Sequence, residues 1–143
     1  MLINKKATNK DYELVLEIWY KSIKATHIFL KEEDIIFFRN EIPKFLGYVD
    51  LLLWYDEEQI IGFSGTKEDE LEMLFLDPSY IGMQYGSRIL QWLIANKSIT
   101  KIGVNEANTN AYKFYNKHGF TIVSRSDLDG FGKPYPILHL EYK

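Results

Sequence analysis

Residues 74–93, LFLDPSYIGMQYGSRILQWL, restrict the fold more than any other stretch of the chain. A strand-like apolar run gives way to Asp77-Pro78, then to Gly82 and Gly86, then to an amphipathic helical pattern. In a strand–glycine loop–helix unit the first helical turn carries backbone N–H groups without intrahelical partners, at the positive end of the helix dipole. A pyrophosphate placed there can be bound by the main chain alone. Gly82 suits a positive φ. Gly86 falls inside the helix, where glycine costs about 1 kcal/mol against alanine, so it suits a close approach of a ligand or another backbone. A tight strand-to-helix turn with no ligand has the same pattern. Gln84 occupies the place where a phosphate loop could carry a further glycine.

What precedes the loop narrows the choice. MLIN reads as a short first strand. From Lys10 to about Ala25, Leu14, Ile18, Trp19 and Ser22 share a helical face. EEDIIFFRNEI is a second short helix, with acids at its start and Pro43 beyond its end. LGYVDLLLWYD and QIIGFSGTK flank Glu57-Glu58 as a hairpin, and a further strand runs from Glu70 to Leu76. In a dinucleotide-binding unit the glycine loop follows the first strand and is spaced G-x-G-x-x-G. Here several strands come first and the spacing is G-x-x-x-G, so that fold is disfavoured. No Lys-Ser/Thr follows Gly86, which excludes a P-loop.

Beyond the loop, Tyr85, Ile89, Leu90, Trp92, Leu93 and Ile94 stripe a helix to about Asn96. TKIGVNE reads as a buried strand. NTNAYKFYNKHG reads as a helix ended by Gly119, and FTIVSRSDL and YPILHLEY read as two closing strands. The expected fold is α+β in one domain over residues 1–143, a mostly antiparallel mixed sheet of six to seven strands flanked by about four helices.

Composition removes several functions. The chain has no cysteine, so disulfides, zinc-thiolate sites and a cysteine nucleophile are excluded. His27, His118 and His139 are scattered, without the spacing of a metal site. With 17 basic and 20 acidic side chains and no basic block, nothing points to nucleic acid. MLINKKATNKDYELV lacks the apolar core of a signal peptide and no run is long enough to span a membrane, so the expected setting is cytoplasmic.

LFLDPSYIGMQYGSRIL followed by VNEANTNAYKFYNKHGF resembles the Gcn5-related N-acetyltransferase superfamily (GNAT). Its hallmark is a strand, an Arg/Gln-x-x-Gly-x-Gly/Ala loop opening a helix, then a strand and a helix with Asn…Ala…Phe-Tyr ending in Gly-Phe. The second part is matched by Asn108, Ala111, Phe114, Tyr115, Gly119 and Phe120; the loop departs from the pattern at Ile81 and Gln84. WYKSIKATHIFL and RSDLDGFGKPYPILHLEY are similar to the end segments of YjaB-like bacterial members, so the resemblance spans nearly the whole chain.

The resemblance implies transfer of an acetyl group from acetyl-CoA to a primary amine, in a small molecule or a protein lysine, by a monomer or homodimer. A non-catalytic CoA-binding module of the same fold is the other outcome. It implies that Met73, Leu74, Phe75 and Leu76 pair with the pantetheine arm and polarise the thioester carbonyl. Ile81, Gly82, Met83, Gln84, Tyr85, Gly86 and Ser87 would hold the pyrophosphate by their N–H groups. Ala111 and Phe114 would line the cofactor site. Tyr115 would be the acid that protonates the leaving thiolate, since a phenol with a pKa near 10 matches a thiolate; aromatic packing on Phe114 and Phe120 is the alternative. Asn108 would sit near the cofactor or cap a helix. Asn105 would reach the pantetheine arm or end a turn. The ammonium of an amine acceptor, with pKa about 10.4, must lose a proton. Glu72, read as sharing a strand face with Leu74 and Leu76, and His27 are the candidate bases. Each has a structural alternative, a strand edge for Glu72 and a core or capping role for His27. Tyr135 would line the acceptor side or enter a strand. With no cysteine, an acyl-cysteine route is closed and direct attack in a ternary complex remains.

Overall fold

The computed structural model describes residues 1–142. In chain order the elements are β1 (Leu2–Lys6), α1 (Tyr12–Thr26), α2 (Glu32–Glu41), β2 (Asp50–Asp56), β3 (Gln59–Lys67), β4 (Glu70–Leu76), α3 (Tyr85–Lys97), β5 (Lys101–Asn105), α4 (Thr109–Lys117), β6 (Phe120–Ser126) and β7 (Ile137–Tyr142). The β2–β3 turn is tight because Glu57 and Glu58 both take left-handed backbone, with φ of 49° and 71°. That geometry matches the twist of the strands it joins.

The strands form a seven-stranded sheet in the order β1-β2-β3-β4-β5-β7-β6. Every neighbouring pair is antiparallel except β4 and β5. The expected α+β architecture is what forms. No described helix is long and apolar enough to cross a membrane.

Both faces of the sheet are covered. On one face Val15, Ile18, Trp19 and Ile23 of α1 and Ile35 of α2 pack against Leu51, Leu53 and Phe63. On the other, Ile89, Leu90 and Leu93 of α3 and Tyr115 of α4 pack against Leu52, Trp54, Ile61 and Leu71. The run LLLW in β2 is apolar without alternation because the strand is buried on both sides. Fully burying one such side chain contributes about 1.5–3 kcal/mol, so these two layers dominate the stability. On α1 the innermost residue of the first turn is Val15, while the expected Leu14 is half-buried. β5 is not buried throughout: Ile102 and Val104 face the core, and Lys101 and Gly103 are exposed.

Two irregularities of β4 create the site. Its ladder to β5 comprises only Glu70↔Lys101 and Leu71↔Ile102, after which the strands part. Against β3, Gly65 pairs with Met73 but Thr66 pairs with Leu71, so Glu72 is the extra residue of a bulge. A bulge reverses the side on which the following residues emerge.

Candidate active site

Two cavities flank the free stretch of β4 and meet at His27 and Phe75, which line both. The first, about 850 Å³, lies between the end of α1, β4, the glycine loop and α4. Leu74, Phe75, Leu76, Ile81, Gly82, Gln84, Gly86, Ser87, Asn108, Ala111, Phe114 and Tyr115, all named as cofactor candidates, line it together. The second, about 490 Å³, lies over the other face of the sheet between α1, α2 and the β6–β7 segment. Glu72, Met73, Asn105 and Tyr135 belong to that one.

The glycine loop has the physics of an anion cradle. Gly82 has φ 85°, and a Cβ there would meet no atom, so backbone conformation is what selects glycine. At Gly86 a Cβ would stand 3.4 Å from Phe114 Cζ and 3.7 Å from Leu76 Cδ1, ordinary van der Waals contact, so the packing of α4 on the first turn of α3 does not by itself require glycine. Gln84, the residue before α3, takes the left-handed conformation at φ 66° and ψ 9°. This is a geometry that glycine adopts freely and other residues hold at a cost of about 1–2 kcal/mol. The first turn of α3 has neither a side-chain cap nor an acidic residue. By contrast, α2 carries Glu32, Glu33 and Asp34 there, and α4 is capped by Asn108. The unsatisfied N–H groups and positive dipole end of α3 are thus left for an anion at the cleft wall. This main-chain arrangement fits a pyrophosphate.

Several residues expected to hold the cofactor through their main chains direct their side chains elsewhere. Met83 is exposed and lines neither cavity. Tyr85 turns away from the cleft, because its hydroxyl donates to Asp56 Oδ2 at 2.6 Å and its ring packs on Tyr80. Ser87 faces the cleft but its Oγ is within 2.9 Å of His118 Nε2. The side chains of Met73 and Asn105 sit on the second cavity rather than on the cofactor cleft. For Met73 the cause is the strand alternation, with Leu74 and Leu76 facing α3 and α4 while Met73 and Phe75 face α1. Glu72 is the larger correction. Simple alternation puts it with Leu74 and Leu76; the bulge places it instead with Met73 and Phe75 at the rim of the second cavity.

The electrostatics separate the two candidate bases. Partial burial, and then the negative charge of Glu70, raise the Glu72 carboxyl above the ordinary carboxylate value, with Lys67 opposing. Burial pushes the His27 imidazole down to about 4, so it is neutral at physiological pH. A hydrogen-bond chain also sets its tautomer. The Ala111 N–H donates to Asn108 Oδ1 at 3.2 Å, which leaves Nδ2 of Asn108 to donate to His27 Nε2 at 3.3 Å. His27 Nδ1–H then donates to Thr26 Oγ1 at 2.7 Å, and Thr26 donates to the Ser22 carbonyl at 2.8 Å. Asn108 therefore caps α4 and holds His27 at once, while the lone pair of His27 is engaged.

Tyr115 is buried at 7% exposure, and burial raises its phenol well above 10. Its hydroxyl makes no hydrogen bond to a described residue, yet among the described residues no buried side-chain polar atom is both occluded and unpaired. The hydroxyl therefore opens on the cleft that Tyr115 lines. It is a protonated donor with no acceptor among the described residues.

Of the outer wall of the second cavity the sequence indicated only Tyr135. Asp34, on the first turn of α2, accepts from the Tyr135 hydroxyl and pairs with Lys133 at 2.9 Å. The Tyr135 hydroxyl in turn accepts from the Lys31 N–H at 3.2 Å. The Tyr135 hydroxyl, and after it the Lys133 ammonium, hold the Asp34 carboxyl below the ordinary carboxylate value, and the same bonds clamp the β6–β7 segment to α2. Phe131 of that segment packs on Phe37, Phe38 and Phe45, with centroids 5.5, 5.6 and 5.8 Å away. Only the acids opening EEDIIFFRNEI hinted at Asp34, and they read as a helix start.

A family profile described as "Acetyltransferase (GNAT) domain" matches residues 47–122. The peptidyl-lysine N-acetyltransferase YjaB of Salmonella typhimurium is 32% identical, covering 99% of this chain and 99% of that protein. The solution structure of apo-form YjaB from Escherichia coli superposes with a TM-score of 0.90 at 31% identity, over 99% of this chain and 97% of that one. A PaiA N-acetyltransferase from Thermoplasma acidophilum, crystallised in complex with coenzyme A, shares the fold with a TM-score of 0.70 at 24% identity, over 99% of each chain. The chain belongs to the GNAT acetyltransferase family.

Proposed function

We propose that this protein transfers an acetyl group from acetyl-CoA to a primary amine, with a protein lysine as one acceptor. The observation that carries the reading is the junction of the two cavities at His27 and Phe75, beside the stretch of β4 that has left β5. A donor in one cavity and an amine in the other meet there. Support for lysine comes from the YjaB relatives, whose names give peptidyl-lysine as their substrate.

Acetyl-CoA supplies the activated thioester when bound. The α3 N-terminus and the loop from Ile81 to Gly86 would hold its pyrophosphate by main-chain N–H groups. The main chain of β4 past Leu71 has no ladder partner on β5, so its outward groups are free to bond the pantetheine amides and polarise the carbonyl. Glu72 takes the proton of the ammonium from the acceptor side, where its raised pKa makes it the stronger base of the two candidates. Tyr115 donates to the departing sulfur from the opposite cavity. His27, neutral and with Nε2 engaged, positions the junction rather than acting as the base.

Calorimetric titration with CoA, followed by thiol release from acetyl-CoA with a lysine peptide, tests the reading. Binding and release are expected. Absence of CoA binding would remove it, and binding without release to any amine would leave a CoA-binding module.

A further inference from the structure

The acceptor cavity is larger and more aromatic than a lysine stem requires. At about 490 Å³ it is in the range of whole small-molecule sites. Trp19, Phe38, Phe45, Phe75, Phe131 and Tyr135 provide much of its wall. Such rings gain most from another ring packed edge-on or offset against them. Its charged groups are few: Lys67, Glu72 and Asp129. Asp129 Oδ1 already accepts the N–H groups of Phe131 and Lys133, each at 2.9 Å, and so serves as the anchor of its own turn. Glu72 makes no hydrogen bond or ion pair among the described residues and is left as the one carboxylate for an ammonium. Lys67 repels a second cation. A polyamine needs several free carboxylates along its length, so the lining selects against it.

Building on the acetyl-transfer reading, we infer that this cavity takes a small primary monoamine with an aromatic body, of the phenylethylamine type, as an acetyl acceptor alongside lysine. The ring lies against Phe131, Phe38 and Phe45 and the amine points to Glu72. The nitrogen lone pair forms the bond to the acetyl carbon as the carbon–sulfur bond breaks, with its electron pair going to sulfur. The ammonium loses two protons in all. One passes through Glu72 to solvent; the other restores Tyr115 after its phenol protonates the sulfur. The products are the N-acetyl amine and the free thiol.

The test compares wild-type kcat/KM for 2-phenylethylamine, n-butylamine, spermidine and a lysine peptide, read as thiol release. The expected result is that 2-phenylethylamine exceeds n-butylamine and spermidine by about tenfold or more. In Phe131→Ala its KM rises about tenfold, with kcat changed less than about threefold. Phe131 is 41% exposed, so the substitution does not open a sealed core. Equal or better turnover of n-butylamine or spermidine overturns the inference. So does acetylation of the peptide with no turnover of small amines, an outcome that leaves acetyl transfer to lysine standing. No thiol release with any acceptor, the peptide included, removes the acetyl-transfer reading and this one with it.

Discussion

Asn108 donates from Nδ2 to His27 Nε2 at 3.3 Å, joining the residue that follows α1 to the residue that caps α4 across 81 residues of sequence. The bond requires neutral His27, whose pKa of about 4 lies below the ordinary 6.5. Above pH 6.5 the imidazole is neutral in the folded and unfolded chain alike and adds no pH dependence. As the pH falls from 6.5 to 4 the unfolded chain takes up a proton that the folded chain refuses, so stability declines. Below 4 the loss levels off at on the order of 3 kcal/mol. Urea midpoints of wild type and His27→Gln between pH 7.5 and 4 check this: the variant should show the flatter slope. Parallel slopes would show that His27 is not held neutral.

Tyr115→Phe separates chemistry from packing. The hydroxyl has no partner among the described residues, so its removal should change stability by less than about 1 kcal/mol. CoA affinity should stay within about threefold while kcat falls on the order of a hundredfold or more. Equal rates in variant and wild type would withdraw Tyr115 as the acid.

Glu72→Gln keeps the shape of the bulge and removes the proposed base. A fall in kcat on the order of a hundred- to ten-thousand-fold is expected, with CoA binding unchanged. The acidic limb of the wild-type kcat/KM profile should lie above the ordinary carboxylate pKa of 4.5, because burial and Glu70 raise it, and should vanish in the variant. If the limb persists in Glu72→Gln, another group titrates.

Gln84→Gly releases the left-handed backbone at φ 66°. The relief of about 1–2 kcal/mol exceeds the extra unfolded-state entropy of glycine, for a net gain of about 0.5–1 kcal/mol in thermal or urea unfolding. CoA should bind at least as tightly, since the N–H of residue 84 stays and its Cβ leaves. Destabilisation would show that the Gln84 side chain makes a contact that offsets the strain.

Asp34→Asn loosens the clamp on the β6–β7 segment by removing the charge that faces Lys133 and Tyr135. The KM for the acceptor should rise about threefold or more, with CoA affinity unchanged, because only the acceptor cavity has this wall. Steady-state kinetics with the acceptor varied, beside a CoA titration, gives both numbers.

Most secondary elements could be read because their signals are local. The run Glu70–Leu76 was placed by its apolar pattern, and the β2–β3 turn by the two glutamates between apolar runs. The helix ending at Gly119 follows from one residue free to take a φ of 97°. The grouping of the first cavity's residues was legible for a related reason: the loop and the Asn…Ala…Phe-Tyr helix are two contiguous segments, and Gly82, Gly86, Asn108, Ala111, Phe114 and Tyr115 all line the same cleft, the one proposed for the cofactor.

The second cavity was legible only in part: His27, Glu72 and Tyr135, named for the acceptor side, all line it, but the rest of its wall comes from segments far apart in the chain. Glu72 changes faces because of a register shift in the pairing of β4 with β3, which the alternation within β4 does not reveal. Asp34 and Tyr135 are 101 residues apart, and His27 and Asn108 are 81 apart. Tyr85 leaves the cleft for Asp56, 29 residues away. The sequence by itself determined the elements, the sheet-and-helix class and the glycine turn that opens α3, because backbone geometry and side-chain periodicity act over a few residues. Only the tertiary structure decided which carboxylate faces the second cavity, which tautomer His27 adopts and how an aromatic cavity closes, because those depend on strands and helices far apart in the chain packing in one register.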